Sequence, residues 1–375
     1  MDDIYVNQPG HEPLILTMYV DDMLIAGPEP RLQEALDELD RAKHPGEDLS
    51  FDIGAVGDLE RYLGVNYVEK KFEDGDRVVK VLLASQVDYI TSLVATFLEK
   101  ANKTNLRKAD TPMPKEQPPP GDYDIDGRYA SFCLEAIGAL LWVARCTRPD
   151  ISFAVCFLAR FSSRWSIVAD RYLERIVSYL QGSAEMALVS WLVEEDKIEL
   201  CTFADADHAG CPFTARSTSG ACTYIVGDGG TQALIQWSSH RQGCTAASTG
   251  EAEVVALNEA IRKASMPLAD MLQQVLDREV DTYAYCDSTA ALAATEKGAS
   301  PTMRYLRKNQ RVSLGCARDY HQVAGIIFGK IDGDVNVADC FTKALDHTKF
   351  KFFRASLGVQ LPEFVGQEAP CLHRH

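Results

Sequence analysis

Four acidic residues stand in distinctive surroundings. Asp205 lies in Phe203-Ala204-Asp205-Ala206-Asp207-His208, and Glu253 in Gly250-Glu251-Ala252-Glu253-Val254-Val255. Asp287 lies in Tyr285-Cys286-Asp287-Ser288, and Asp339 in Asn336-Val337-Ala338-Asp339-Cys340. Brought together, four carboxylates repel strongly unless cations lie between them. Two divalent ions ~3.5–4 Å apart resolve that repulsion and can activate water for in-line phosphodiester hydrolysis. Each residue alone has a plainer use, because an Asp at a strand end commonly serves as a turn or cap residue. Glu251 fits such a use, as the glutamate of a capping box that begins at Ser248. Glu253 does not. On a helix it shares a face with Ala256, Leu257, Ala260 and Ala264, where a carboxylate is costly unless paired or bound to a cation. Strand alternation does not choose between Asp205 and Asp207. Asp334 reads as the helix cap that leaves Asp339 inside the first turns.

Two further features bear chemistry. Tyr19-Val20-Asp21-Asp22 lies between two apolar runs, where a bare acidic pair is most simply a solvated turn. From Met303 to Arg318 the chain carries Arg304, Arg307, Lys308, Arg311 and Arg318 with no acidic residue. This is either a solvated face or a phosphate track, with Tyr305 available to stack on a base or sugar. The net charge of −16 argues against a general nucleic-acid coat protein but allows an enzyme with a local basic track. The eleven cysteines are scattered without a C-x-x-C spacing, so they read as reduced thiols. His373 and His375 read as a tail. No apolar run approaches the ~20 residues of a membrane helix and no secretory signal is evident, so no membrane partner is expected. The expected location is cytoplasmic, retroelement particles included, or nuclear.

The elements that must position these residues follow from patterning. Leu14–Val20 and Met23–Gly27 read as a hairpin turning on Asp21-Asp22, followed by a helix with Leu32, Leu36 and Leu39. Arg61–Phe72 and Arg77–Ala84 flank an Asp-Gly turn, and Ser85 reads as the cap of a helix to about Lys100. Thr111–Gly121, with five prolines, reads as a linker. Helices follow over Tyr129–Arg145, after Pro149, and over Ile167–Leu180. Strands are expected at Ile198–Ala206, Gly220–Val226, Ala233–Ser238, Asp281–Cys286 and Val323–Phe328, with helices from Ser248 and from about Val335. This is a mixed α/β domain.

Several segments together resemble copia-type retrotransposon Pol sequence, in the family's order. They are Leu16–Leu24 around Asp21-Asp22, Thr147-Arg148-Pro149-Asp150-Ile151, Arg216-Ser217-Thr218-Ser219-Gly220, Gln236-Trp237-Ser238-Ser239 and Ala338-Asp339-Cys340-Phe341-Thr342-Lys343. The resemblance implies an α/β fold: a ribonuclease H-like mixed sheet with flanking helices at 185–346. A truncated α+β reverse transcriptase palm/thumb remnant at 1–115 and a Pro-rich linker with helical connection at 116–184 would precede it. A C-terminal helix and tail would occupy 347–375. Asp205, Glu253, Asp287 and Asp339 take the family's metal-binding positions, which settles Asp205 over Asp207, and Asp21 and Asp22 belong to an incomplete polymerase site. The implied activity is metal-dependent endonucleolytic cleavage of the RNA strand of an RNA–DNA hybrid, with two Mg²⁺ ions, or Mn²⁺ as the alternative. Arg304, Tyr305, Arg307, Lys308 and Arg311 are the expected nucleic-acid contacts.

Further partners would be the missing upstream Pol segment or another Pol chain. The rival readings are a non-catalytic retroelement remnant that binds nucleic acid and an RNA-directed DNA polymerase completed by another chain. DNA synthesis by the chain alone is not expected, since the third polymerase carboxylate and the fingers would lie before Met1. Residues 185–346 are expected to carry cleavage unaided. Three departures from the family stand out. His208 replaces a usual tryptophan, and Gly250 and Val254 replace a hydroxyl residue and a tyrosine. His321 reads as the start of a strand rather than as a histidine aiding product release.

Overall fold

Segment 198–241 runs as three long strands, and the first two are buried on both faces. In the computed structural model, residues 4–6, 13–20, 22–41, 56–74, 77–116 and 118–364 are described. The first elements are β1 (Ile4–Val6), β2 (Ile15–Tyr19), β3 (Asp22–Ala26) and α1 (Glu29–Arg41). Next come β4 (Arg61–Tyr62), β5 (Val65–Asp74), β6 (Arg77–Ser85) and α2 (Val87–Lys100). A helical layer follows: α3 (Cys133–Cys146), α4 (Ser152–Leu158) and α5 (Ile167–Gln181). Then β7 (Ala187–Val193), β8 (Ile198–Asp207), β9 (Thr218–Gly227), β10 (Gln232–Arg241), α6 (Thr249–Ala260), α7 (Met266–Leu276) and β11 (Thr282–Cys286). The chain continues through α8 (Thr289–Lys297), α9 (Leu306–Asn309), α10 (Leu314–Gln322), β12 (Ile327–Lys330), α11 (His347–Ser356) and β13 (Val359–Gln360).

β1, β2 and β3 form a small antiparallel sheet. All other strands join one mixed sheet in the order β12-β11-β8-β9-β10-β7-β6-β5-β4, with β13 also on β7. β8, β9 and β10 are antiparallel neighbours, while β11 runs parallel to β8 and β12 parallel to β11. Ala204 on β8 packs in a core with α6, whereas Cys201 and Phe203 pack with α3, α4 and α5 in another. A strand covered on both sides loses the apolar–polar alternation of a half-exposed one. Asp205 and Asp207 lie two apart on one face, so strand alternation cannot separate them. Among the described residues no helix is long and apolar enough to cross a membrane.

The packing has no seam at 184/185. β6 pairs with β7 from Val79↔Val193 to Ala84↔Leu188, and one apolar core contains Ile90, Leu140, Leu180, Phe203, Tyr224 and Phe353. Residues 185–346 therefore share both sheet and core with the preceding chain, which revises the expectation that they stand alone. After α11 the chain returns to the sheet, since Val359 pairs with Leu188.

Several local expectations are corrected. Thr111, Pro112 and Met113 are buried rather than forming a loose linker. Arg175 donates to the Thr111 carbonyl (3.0 Å) and hydroxyl (2.8 Å), so the proline-rich backbone finds its partners inside. Tyr19 pairs with Asp22 and Val20 has φ 54°, so the first hairpin turns one residue earlier than read. Ser85 ends β6, and Gln86 stands at the start of α2. α3 begins at Cys133 rather than Tyr129. β7 was not anticipated. Val323 closes α10, and the strand begins at Ile327. His321 lies in the last turn of α10, where its Nδ1 is 2.8 Å from the Ile326 carbonyl and its ring stacks on Phe328. The helix expected from Val335 is a 3-10 turn, Val337–Phe341, followed by α11. Asn336, not Asp334, caps that turn by accepting from the Ala338 N–H (3.2 Å).

The shared motifs have structural work. Trp237 donates its indole N–H to the Ala144 carbonyl (2.8 Å), tying β10 to α3. Pro267 leaves the Lys263 carbonyl without its usual helical donor, and Gln236 supplies one at 3.2 Å.

Candidate active site

Asp205 lies near the C-terminal end of β8, and Asp287 directly follows β11, its parallel neighbour. The C-terminal ends of adjacent parallel strands are a recurrent place for reacting groups. Glu253 arrives from α6, and Asp339 from the 3-10 turn laid across β9. That approach needs a glycine. Gly220 is the β9 partner of Asp205, and a Cβ there would come within 2.6 Å of Thr342 and 2.8 Å of Phe341. Asn336 donates to the Ala204 carbonyl (3.1 Å), which pins the turn to β8.

The four carboxylates meet. Glu253 and Asp287 offer oxygens that, with the Cys286 sulfur, lie within 4.8 Å of one another. Lys343 Nζ is 2.6 Å from Asp339 Oδ1 and 3.9 Å from Asp205 Oδ2, so it bridges the other two. Lys349 Nζ is 3.0 Å from Asp339 Oδ2, and the Thr342 hydroxyl donates to Asp205. Asp205, Glu253 and Asp339 are buried, and Asp287 is half-buried.

Their ionisation reflects this crowding. Burial raises Asp205 to about 7; Lys343 pulls it down, while Asp339 and Asp287 push it up. Burial, then the charges of Asp205 and Asp287, raise Glu253 to about 9. Burial and Asp339 raise Asp287 as well. A carboxyl raised by folding takes up protons on folding. Its stabilising contribution is therefore greatest below its unfolded pKa of ~4 and is lost as pH climbs through the folded value. With metal chelated, stability should fall between about pH 5 and pH 9, by up to ~1.4 kcal/mol per pH unit for each extra proton held. Added Mg²⁺ should restore more stability at the alkaline end, because a cation competes with those protons. Urea melts in chelator and in Mg²⁺ at both ends of the range test this. A pH-independent Mg²⁺ effect would contradict it.

Glu251 is also buried, but its carboxylate accepts from the Ala247 N–H (2.9 Å) while its own N–H donates to Ser248 Oγ (3.2 Å). It is the cap glutamate that the spacing indicated. Asp207 shares the face of Asp205 and interacts with Lys343 and Arg160, beside Gly210. Asp334 is exposed, 3.6 Å from Lys349. Of the acidic pair at the first hairpin, Asp22 is exposed and Asp21 lies outside the described residues, as do Asp2, Asp3, Glu12, His373 and His375.

The basic segment sits beside the helix that carries Glu253. Met303 and Leu306 are buried against Val254 and Leu257, and Met303 Cε occupies the space a Cβ at Gly250 would need (2.7 Å). Arg304, Tyr305, Arg307, Lys308 and Arg311 are all exposed, and the Arg304 guanidinium lies 5.4 Å from the Tyr305 ring centre.

Sequence reading missed Lys343, Lys349, Thr342 and Gly220. Lys343 had a usable signal, because it follows Asp339 by four residues, the spacing at which opposite charges pair on a helix. Lys349 had none.

Over 358 residues the chain is 29% identical to the retrovirus-related Pol polyprotein from transposon TNT 1-94 of Nicotiana tabacum, covering 92% of this chain and 24% of that one. Its homologues are copia-type retrotransposon Pol polyproteins. The Pol polyprotein from transposon RE1 of Arabidopsis thaliana is 26% identical, covering 95% of this chain and 22% of its own length. The chain thus spans about a quarter of the length of these Pol relatives. No family model matches. Among solved structures, LC11-RNase H1 in complex with RNA/DNA hybrid aligns with a TM-score of 0.26 and 17% identity, covering 38% of this chain and 94% of that one.

Proposed function

We propose that this chain is the C-terminal part of its Pol polyprotein and cleaves the RNA strand of RNA–DNA hybrids by metal-dependent hydrolysis. The observation that carries this reading is the meeting of Asp205, Glu253, Asp287 and Asp339, from four separate elements, at the ends of two parallel strands. The strand order β10-β9-β8-β11-β12, antiparallel then parallel, supports a ribonuclease H-like fold around it.

The donor set fits a hard divalent cation. The described site has four carboxylates facing two ammonium groups, so with every carboxyl ionised negative charge is left for a cation to neutralise. Cys286 adds a thiol beside these oxygens. Burial, then Glu253, holds its thiol well above the usual range, and the protonated sulfur donates to Glu253 at 3.7 Å. Asp205, Glu253, Asp287 and Asp339 would hold Mg²⁺, or Mn²⁺ in its place. When bound, the metal lowers the pKa of water and stabilises the leaving oxygen. Glu253 and Asp287 close one side of the centre, Asp205 and Asp339 the other, and Thr342 and Asn336 fix the second pair. Arg304, Arg307, Lys308 and Arg311 hold backbone phosphates beside α6, and contacts to ribose 2′-hydroxyls select the RNA strand.

The whole chain is the protein to assay, given the shared sheet and core. It should cut a labelled RNA–DNA hybrid with Mg²⁺ and not with chelator; failure to cut at any divalent concentration would refute the reading. Replacing Arg304, Arg307 and Lys308 together by Ala should weaken hybrid binding. It should also flatten its salt dependence, by ~0.9 in slope for each phosphate no longer neutralised, taking duplex DNA as the guide. An unchanged slope would mean these side chains only decorate a solvated surface.

A further inference from the structure

Both oxygens of Asp339 already carry a cation: Lys343 on Oδ1 at 2.6 Å and Lys349 on Oδ2 at 3.0 Å. The two lysines are held very differently. Lys349 also donates to the Gly333 carbonyl (3.3 Å), lies 3.6 Å from Asp334 and packs over the Phe353 ring. Among the described residues, Lys343 is paired through Asp205 and Asp339, and its side chain is 42% exposed. Beside it opens a cleft of about 220 Å³ lined by Lys343, Asp207, Gly210, Lys115 and Glu116. The ammonium therefore has somewhere to go, with two acidic side chains waiting there. Among the described residues, Glu253 and Asp287 have no lysine within ion-pair distance, and Lys343 and Lys349 act on Asp287 only from farther off.

We propose that Lys343 is a resident counter-ion of the carboxylate centre. Its ammonium occupies the place between Asp205 and Asp339, and a divalent cation that engages this pair displaces it into the cleft toward Asp207 and Glu116. This rests on the metal-centre reading above and adds a consequence for it. Two like-charged groups cannot share the same carboxylate oxygens at close range. Cations therefore enter in two unequal steps. The Glu253–Asp287 side fills first, because no ammonium lies within ion-pair distance there and only protons are displaced. The Asp205–Asp339 side fills second, its affinity reduced by the fraction of time that Lys343 stays in place. Lys343 is thus a positioning residue, which keeps the two aspartates together before the cation arrives and sets how much is needed.

The test is calorimetric titration of Mn²⁺ into the whole chain, as wild type, Lys343→Met, Lys343→Arg and Asp287→Asn. Wild type should show a tight and a weak phase. Lys343→Met should tighten the weak phase about tenfold, through loss of the competing ammonium. Lys343→Arg should keep it weak, and Asp287→Asn should lose the tight one. Asp287→Asn titrating like wild type would sink the metal centre itself. Absence of the tight phase in Asp287→Asn together with an unchanged or weaker second phase in Lys343→Met would overturn the counter-ion role alone. If Lys343→Met does not fold, the lysine side-chain NMR signals of wild type decide. The signal missing in Lys343→Arg should shift with Mg²⁺ at the midpoint of the weak phase, and a signal that stays put overturns the proposal.

Discussion

Asp205→Asn in the whole chain is expected to remove Mg²⁺-dependent hybrid cleavage, by about a thousandfold or more, without unfolding the protein. Losing one member of a group that acts as a unit costs on this scale. The substitution keeps the shape of the side chain and an oxygen that can still accept from the Thr342 hydroxyl. It removes one of four crowded negative charges. Because burial and repulsion already raise the Asp205 carboxyl to about 7, its charged form is under strain at neutral pH without metal. The variant should therefore melt no lower than wild type in chelator, while wild type gains more from Mg²⁺. A stable, inactive variant separates a catalytic role from a structural one. Glu251→Gln is the matched control. Its amide oxygen can still accept from Ala247, so it should cleave at close to the wild-type rate. Initial rates on a labelled hybrid measure both, and wild-type cleavage by Asp205→Asn would exclude the site.

The contrast between Glu251 and Glu253 was legible in the sequence because it is local. A capping box and a helical face are both set by neighbours within four residues. The hairpin β5–β6 and helices α2 and α5 were legible for the same reason. What escaped was non-local. The pairing of β6 with β7 joins residues about a hundred positions apart, and no turn or period between them announces it. Asp205 and Asp207 looked alike because residues two apart on a strand share a face. The packing of Thr111 to Met113 depends on Arg175, which no reading of the proline run could supply. Of the two lysines on Asp339, Lys343 is announced only by its spacing of four residues and Lys349 by nothing local.

The Thr147–Ile151 motif leads to the second large effect, one of stability. Arg148 is fully buried. It makes a bidentate pair with Asp150 (2.9 and 2.8 Å) and donates to the Ser183 carbonyl (2.9 Å) and hydroxyl (2.8 Å). The Tyr179 hydroxyl donates to Asp150 (2.5 Å), and the guanidinium lies over the Tyr179 ring. Thr147 donates to Gln86 (2.9 Å), so the motif links α2, α3 and α5. Asp150→Ala should cost ~3–5 kcal/mol, because it leaves a guanidinium in the core with only neutral partners. That is a large share of the ~5–15 kcal/mol that holds a typical domain together. The double variant Arg148→Met with Asp150→Leu should recover much of the loss, since both charges then leave the interior together. The network also reaches toward the active site. Asp150 acts on Cys340, next to Asp339, and Tyr179 packs edge-on against Phe350 of α11. Asp150→Ala should therefore also weaken Mn²⁺ binding under conditions where the chain stays folded. Urea denaturation gives the stability and calorimetry the binding. A loss under ~1 kcal/mol, the scale of an exposed ion pair, would mean that water or a rearranged partner replaces Asp150, and that this buried pair does not hold the helices against the sheet.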